Sequence, residues 1–458
     1  MSNKIKHLYW RAGFGLSPEE WQQRQNWSVS KAVDALFAEA KKSKPLPVPG
    51  RDLDLAALRQ MDKKEAAELL KKERQMVAQQ NIAWVQRMAN PNESALLERM
   101  SFFWHGHFAC QSKSGMLAVT QLNTIREHAL GNFRDLVLAI AKDSAMIRFL
   151  NNQQNRKDSP NENFARELME LFTIGRGHYT EQDIKEAARA FTGWSSTIAG
   201  AFIFRERQHD SGRKTFMGKS GNFNGEDIID IILEKRETAL FITRKIYRHF
   251  VNEKVNENII HDVAKQFYDD NYSIGKLMRN IFTSDWFYAT ENLGTKIKSP
   301  VELLAGLMRA LNVQFSNDQA ILFVERALGQ MLFNPPNVAG WPGGKSWIDN
   351  STLMFRLNLV PGIINATELT FKVKEEAEEM NIQGGRRLSA SVDMEPLKKL
   401  MNGTNGLTAL DVLTDYLLQT PVATGQEKLG KAIESSRQED PLKAAVMMVM
   451  TLPEYQMC

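Results

Sequence analysis

The stretch Ser159–Trp194, SPNENFARELMELFTIGRGHYTEQDIKEAARAFTGW, interleaves carboxylates, cations and apolar residues at spacings that could support chemistry. Phe164, Leu168, Leu171 and Phe172 recur at the helical period and form one apolar stripe. Glu162, Arg166 and Glu170 stand four apart on another face, with Glu167 three before Glu170. Two carboxylates oriented by an arginine on a cleft wall could act as general acid and base, or could ligate a divalent metal. The same spacing also makes an exposed ion-pair ladder, in which each pair stabilises a helix by roughly 0.2–0.5 kcal/mol. Ser159, Pro160 and Glu162 match a capping box, which gives Glu162 a second structural role. On these residues alone, the ladder and the cap are the simpler account.

The histidines are read the same way. In FWHGHF, His105 and His107 are two apart, so on a helix they diverge rather than chelate one ion, and His107 belongs with Phe103 and Phe108 on an inner face. His128 falls in the last turn before Gly131, where an imidazolium would complement the helix dipole. His209 and Asp210 sit at a turn, where aspartate is ordinary and histidine less so. The full di-metal bundle signature, Glu-x-x-His in two helices plus a Glu from each of two others, is not present, and H-E-x-x-H, G-x-S-x-G, a phosphate-binding loop and the dinucleotide fingerprint are missing from the sequence.

Helices must position these residues. Ser17 and Pro18 open a helix in LSPEEWQQRQ, and a long polar helix runs through MDKKEAAELLKKERQMVAQQNIAWVQRMAN until Pro91 stops it. Asn92 is placed to cap the FWHGHF helix, Asp143 to cap SAMIRFL, and Thr180 with Asp183 to start the helix that ends near Arg189. The helical pattern lapses between Thr197 and Gly225. There AFIFRE and KTFMG, separated by Asp210, Ser211 and Gly212, predict a β-hairpin. NPPNVAGWPGGKSW is a structured loop by composition. The helix endings SIGKLMRNIFTSDWF and PLKAAVMMVMTLPEY share a step from helix to an acid beside an aromatic.

The predicted fold is mainly α, a large multi-helix assembly with one small β-hairpin insertion. The predicted divisions are an N-terminal helical segment at 1–45, a helical core at 62–365 with the hairpin near 201–217, a flexible linker at 366–395, and a C-terminal helical segment at 396–458. A length of 458 residues with 43% hydrophobic and 24% charged residues is ordinary for a folded chain. A net charge of +4 is too small for a dedicated nucleic-acid coat. Two cysteines exclude a disulfide framework and a multi-cysteine zinc site. No apolar run is long enough to span a membrane, and MSNKIKHLYWRAGFG has no export signal, so the expectation is a cytoplasmic protein.

RAGFG, FWHGHF, REHALGNFRDL, DSAMIRFLNN, the Ser159–Trp194 stretch, HDSGRKTFMG, KSPVELL and NPPNVAGWPGGKSW occur in that order. Together they resemble a bacterial family called domain of unknown function 1800, from about Leu8 to Asn358 and more weakly to LPEYQ. The resemblance implies a helix-rich fold. It also implies that relatives are often exported and are encoded beside a family similar to sulfatases and alkaline phosphatases. The family's motifs fall on Asn161, Glu162, Arg166, Glu167, Glu170, Arg189, Thr192, Gly193, Trp194, His209, Asp210, Lys214, Pro336, Gly340 and Trp341, which raises the cleft reading to equal standing with the ladder.

Two functions follow. In the first, a polar Glu/Arg/His cleft binds a ligand or metal and is hydrolytic. Glu167, Glu170, His209 and Asp210 would be its catalytic groups. Asn161, Glu162, Arg166, Arg189, Trp194, Lys214 and Trp341 would bind the ligand. Glu167, Glu170 and His107 would hold a divalent metal, although that spacing matches no standard site. In the second, the chain is a non-catalytic helical scaffold, an assembly or export partner of the sulfatase- or phosphatase-like neighbour.

Overall fold

Side-chain caps decide where many of the helices begin. The computed structural model describes residues 2–49, 62–369, 386–402, 409–435 and 440–458. Ser17 Oγ accepts from the Glu20 amide at 3.2 Å and the Glu20 carboxylate accepts from the Ser17 amide at 2.8 Å, which starts Pro18–Arg24. Asp62 and Glu65 make the same reciprocal box at the head of the long helix Lys63–Ala89, which stops before Pro91 as its sequence predicts. Ala95–His107, the FWHGHF helix, is capped by Ser94 and not by Asn92, because Ser94 reaches the Leu97 amide at 3.2 Å. Asp143 caps Ser144–Phe149, and Thr180 with Asp183 opens Glu181–Ala190.

The central helix departs from its predicted start. It begins at Asn163, and Ser159 lies in a tight turn with Arg156. The buried side chain of Asn155 accepts from the Asn161 amide at 2.9 Å, and Asn161 Oδ1 in turn accepts from the Asn163 amide at 3.0 Å. That pair of bonds sets the entry, so Ser159 and Glu162 form no capping box. After Glu167 the helix widens into a π turn, Leu168–Thr173, closed by Thr173 Oγ1 donating to the Leu168 carbonyl at 2.6 Å.

The strands form four antiparallel pairs among the described residues. Around the predicted hairpin there are two: Trp194–Ser196 pairs with Phe202–Phe204, and Lys214–Phe216 pairs with Lys219–Gly221. AFIFRE and KTFMG therefore do not pair with each other. Alternation identifies a strand but not its partner, and the closest turns capture each strand first. Val313–Phe315 pairs with Ala390–Val392, and Glu368–Leu369 with Arg386–Arg387. Positions 370–385 of the predicted linker lie outside the described residues. The fold is mainly α with small β ribbons.

One apolar core runs from Ile5 to Tyr455, with Trp84, Trp104, Phe108, Phe133, Phe164 and Phe172 fully buried in it. The two ends of the chain meet. Tyr416 donates to the Leu16 carbonyl at 2.7 Å, and Ile297 bridges Met457 in antiparallel fashion. The two similar helix endings both run into short 3-10 turns, Asp285–Tyr288 and Pro453–Gln456. Cys110 and Cys458 are buried and unpaired. No helix among the described residues is long and apolar enough to cross a membrane.

Candidate functional site

The charges of the central helix separate into local pairs. Arg166 binds Glu162 at 3.2 Å and the Glu181 carboxylate at 2.8 and 2.9 Å, and all three side chains are at least one-third exposed. This is the ladder geometry, extended to the next helix. Glu170 turns toward the glycine-rich corner, where Arg176 Nε donates to it at 2.6 Å. Glu167 is half-buried, and burial followed by the nearby Glu170 charge pushes its carboxyl up from the ordinary range.

A second set of predicted residues gathers beside the ribbons. Arg189 Nε donates to Asp210 at 2.7 Å and its Nη1 to Glu186 at 2.9 Å, while Glu186 also accepts from the Thr215 amide at 2.9 Å. The Lys214 ammonium caps the carbonyls of Asp210 and Gly212 at 2.5 and 3.1 Å. His209 Nδ1 donates to the Thr192 carbonyl at 2.9 Å, and its ring meets Phe204 edge-on. The hydrogen bond from Arg189 holds the Asp210 carboxyl below its usual range. Trp194 packs between Phe191 and Phe202. These bonds fasten the ribbon segment to Glu181–Ala190.

His107 belongs to neither set. Its Nε2 donates to the Phe172 carbonyl at 3.0 Å, and its Nδ1 lies 3.2 Å from the Lys245 ammonium, which also donates to the Leu171 carbonyl at 2.8 Å. The carbonyls at the end of the π turn have no following helical turn to supply donors, and these two side chains supply them instead. Burial, then the Lys245 charge, holds His107 well below its ordinary value. The imidazole is thus neutral, with its proton on Nε2 and an accepting Nδ1. The expected metal set of Glu167, Glu170 and His107 does not assemble, because both His107 nitrogens are engaged and Glu170 is bound by Arg176. Among the described residues no three His, Cys, Asp or Glu side chains are grouped to hold a metal.

His107 and Lys245 open instead onto a cleft of about 610 Å³. Phe102, Phe103, Gly106 and His107 of Ala95–His107 form one side. Lys245, Arg248 and His249, at i, i+3 and i+4 on Arg236–Phe250, form the wall. Lys296, Ser299 and Glu302 close the far end at the start of Pro300–Leu311, and the loop from Trp341 to Trp347 covers the top. Gly340 sets that loop against the helix. Its φ is +80°, and a Cβ there would come within 2.6 Å of the Gly106 carbonyl.

The cleft carries more positive than negative charge. Lys245, Arg248, Lys296 and Lys345 line it against Glu253 and Glu302. Glu302 is already committed: it caps its own helix, accepts from Lys296 at 2.5 Å and pairs with buried Arg99. Burial alone would raise its carboxyl, but Arg99 and Lys296 outweigh that and hold it well below the usual range. Lys245 has no such partner among the described residues, and burial lowers its ammonium to about 8. His249 is held well below its ordinary value by burial and then by Lys296 and Arg99, and its Nε2 is sealed from solvent without a hydrogen bond.

Of the residues singled out in the sequence, His107 and Trp341 line this cleft; Asn161, Glu162, Arg166, Glu167, Glu170, Arg189, Trp194, His209, Asp210 and Lys214 do not. Lys245, Arg248, His249, Lys296, Glu302 and Lys345 were not singled out. The available signal was the one-face spacing of Lys245, Arg248 and His249 in TRKIYRHF, together with the Ser299–Glu302 capping box in KSPVELL. A sequence model of the family described as "Protein of unknown function (DUF1800)" matches residues 7–457. No curated protein and no solved structure matches the chain.

Proposed function

The chain belongs to the DUF1800 family over nearly its whole length, and we propose that it is a ligand-binding protein whose cleft beneath the Trp341–Trp347 loop takes a small anion. The observation that carries this is Lys245, a largely dehydrated ammonium on the cleft wall whose acceptors are a carbonyl and an imidazole, with no carboxylate. Dehydrating a cation without a counter-charge is costly, and an anion entering the cleft supplies the missing charge. Arg248 and Lys345 at the exposed edge attract the same ligand class. Phe102, Phe103 and Trp341 leave room beside the charges for an apolar portion of the ligand.

The test is a thermal-melting screen of the full chain at low salt with lactate, phosphate and sulfate, using glucose and choline as uncharged and cationic controls. Anions should raise the midpoint, and a ligand at one hundred times its Kd adds about 2.7 kcal/mol of stability. The shift should weaken with added sodium chloride and vanish in Lys245→Met, with folding of the variant checked by far-UV circular dichroism. If no anion shifts the midpoint while choline does, the reading is wrong. If none of these molecules acts, the scaffold reading takes its place.

A further inference from the structure

We propose that Lys245 is a nucleophile that forms an imine with the carbonyl carbon of a 2-oxo acid held in this cleft, which rests on the anion reading above and names its ligand class. The geometry begins with the two acceptors of Nζ. A neutral primary amine has two N–H donors and one lone pair. The Leu171 carbonyl at 2.8 Å and His107 Nδ1 at 3.2 Å satisfy both donors. His107 is fixed as an acceptor because its Nε2 must donate to the Phe172 carbonyl. Nζ has no third hydrogen-bond acceptor among the described residues, the Phe241 ring centroid lies 4.8 Å from it, and Lys245 lines the cleft. The surroundings therefore supply hydrogen-bond acceptors for both N–H groups of a neutral amine, and offer a third ammonium proton only the face of the Phe241 ring.

Burial acts in the same direction. The lowered ammonium, at about 8, leaves roughly one amine in ten unprotonated at pH 7. Desolvated lysines of this kind are the usual source of amine nucleophiles. A 2-oxo acid matches both halves of the cleft: its carboxylate faces the lining cations, and its adjacent carbonyl carbon is the electrophile. The ammonium first releases a proton to solvent. The nitrogen lone pair then forms the N–C bond while the carbonyl π pair moves to oxygen, which takes a proton from water. In the second stage the nitrogen gives up one proton to solvent, the hydroxyl is protonated by solvent and leaves as water as the C=N bond forms, and the resulting iminium gives up its remaining N–H proton to solvent. Amine and carbonyl give imine and water, and no redox partner is needed.

Borohydride trapping tests this on the full chain. Pyruvate or phenylpyruvate is added with sodium borohydride, which reduces the imine to a stable secondary amine, and the product is read by intact mass and peptide mapping. The expected result is one adduct per chain at Lys245, formed about tenfold faster per pH unit up to about pH 8 and level above it. Lys245→Arg keeps the positive charge and donors to Leu171 and His107 but cannot form an imine, so it should retain the melting shift with pyruvate and lose the adduct. Lactate lacks the carbonyl and reports on the anion reading alone. Melting shifts with both pyruvate and lactate but no adduct at Lys245 would overturn the imine and leave the anion cleft standing. Trapping by propanal but not by pyruvate, with no anion-induced shift, would overturn the 2-oxo acid and the anion reading together. Labelling spread evenly over exposed lysines such as Lys265 and Lys431 also overturns the proposal.

Discussion

A partly buried cation without a counter-charge makes stability depend on pH, and Lys245 therefore gives the cleft a thermodynamic signature before any ligand is known. Its folded value of about 8 lies below the roughly 10.4 of an unfolded lysine. Below pH 8 both states hold the proton and the difference between them is constant. Between pH 8 and 10.4 the unfolded chain binds more protons than the folded one, so stability rises with pH, by up to about 1.4 kcal/mol per unit from this group. We predict that urea melts at pH 7, 8.5 and 10 will show wild type gaining on the order of 2 kcal/mol relative to Lys245→Met across that window. Saturating lactate should move the window upward, because a bound anion favours the ammonium. Equal pH profiles for the two proteins would mean that Lys245 is solvated like a surface lysine. This residue was illegible in the sequence for a physical reason. Its meaning comes from the Leu171 carbonyl and the His107 ring, which lie 74 and 138 positions away along the chain. Glu162 and Arg166 were legible as an ion-pair ladder because an i, i+4 pair needs no tertiary information.

At the scale of elements, helix starts were read well wherever a cap is local, as at Ser17, Asp143 and Thr180. They were misread where a distant group competes, as at Ser159, whose turn is fixed by the buried Asn155 side chain. The π turn left no mark in the apolar stripe, since Leu168 and Phe172 are buried in either geometry. It nevertheless ends on the carbonyls that hold His107 and Lys245 at the cleft. The covering loop was recognisable from its proline and glycine content, and Gly340 explains how it docks. Replacing Gly340 with alanine imposes a left-handed backbone cost of about 1–2 kcal/mol and, in addition, a clash with the Gly106 carbonyl. Gly329 ends Gln319–Leu328 at φ +85° with open space around the missing Cβ, so Gly329→Ala carries the backbone cost alone. Gly340→Ala should therefore lower the melting midpoint further than Gly329→Ala and weaken anion binding at least tenfold, whereas Gly329→Ala should leave binding unchanged. Equal effects on binding would show that the close approach to Gly106 does not position Trp341.

For the molecule as a whole, the question is whether the terminal segments fold with the core or beside it, and Lys298 is the place to ask. Its ammonium lies 3.6 Å from the Trp10 ring centroid and 3.8 Å from that of Tyr455, and it donates to the Tyr455 carbonyl at 2.7 Å. One side chain thus joins the first helix, Ser2–Arg11, to the turn Pro453–Gln456 across the middle of the chain. The backbone does the same, with the Lys298 amide donating to Gln456 and the Cys458 amide to Lys296 at 2.9 and 2.8 Å. Lys296, two residues away, lines the cleft and binds Glu302. If these segments form one cooperative unit, Lys298→Ala opens a cavity and removes two cation–π contacts, and it should cost about 2–5 kcal/mol from a single unfolding transition. Tryptophan fluorescence and far-UV ellipticity would then move together, and anion affinity would fall because the C-terminal segment that pairs with the Lys296 backbone is loosened. A transition split in two, with the ends melting first and anion binding intact, would instead make residues 1–45 and 396–458 separate folding units. The continuous core from Ile5 to Tyr455 favours the single transition, since among the described residues one buried cluster includes both terminal segments and the helices that wall the cleft.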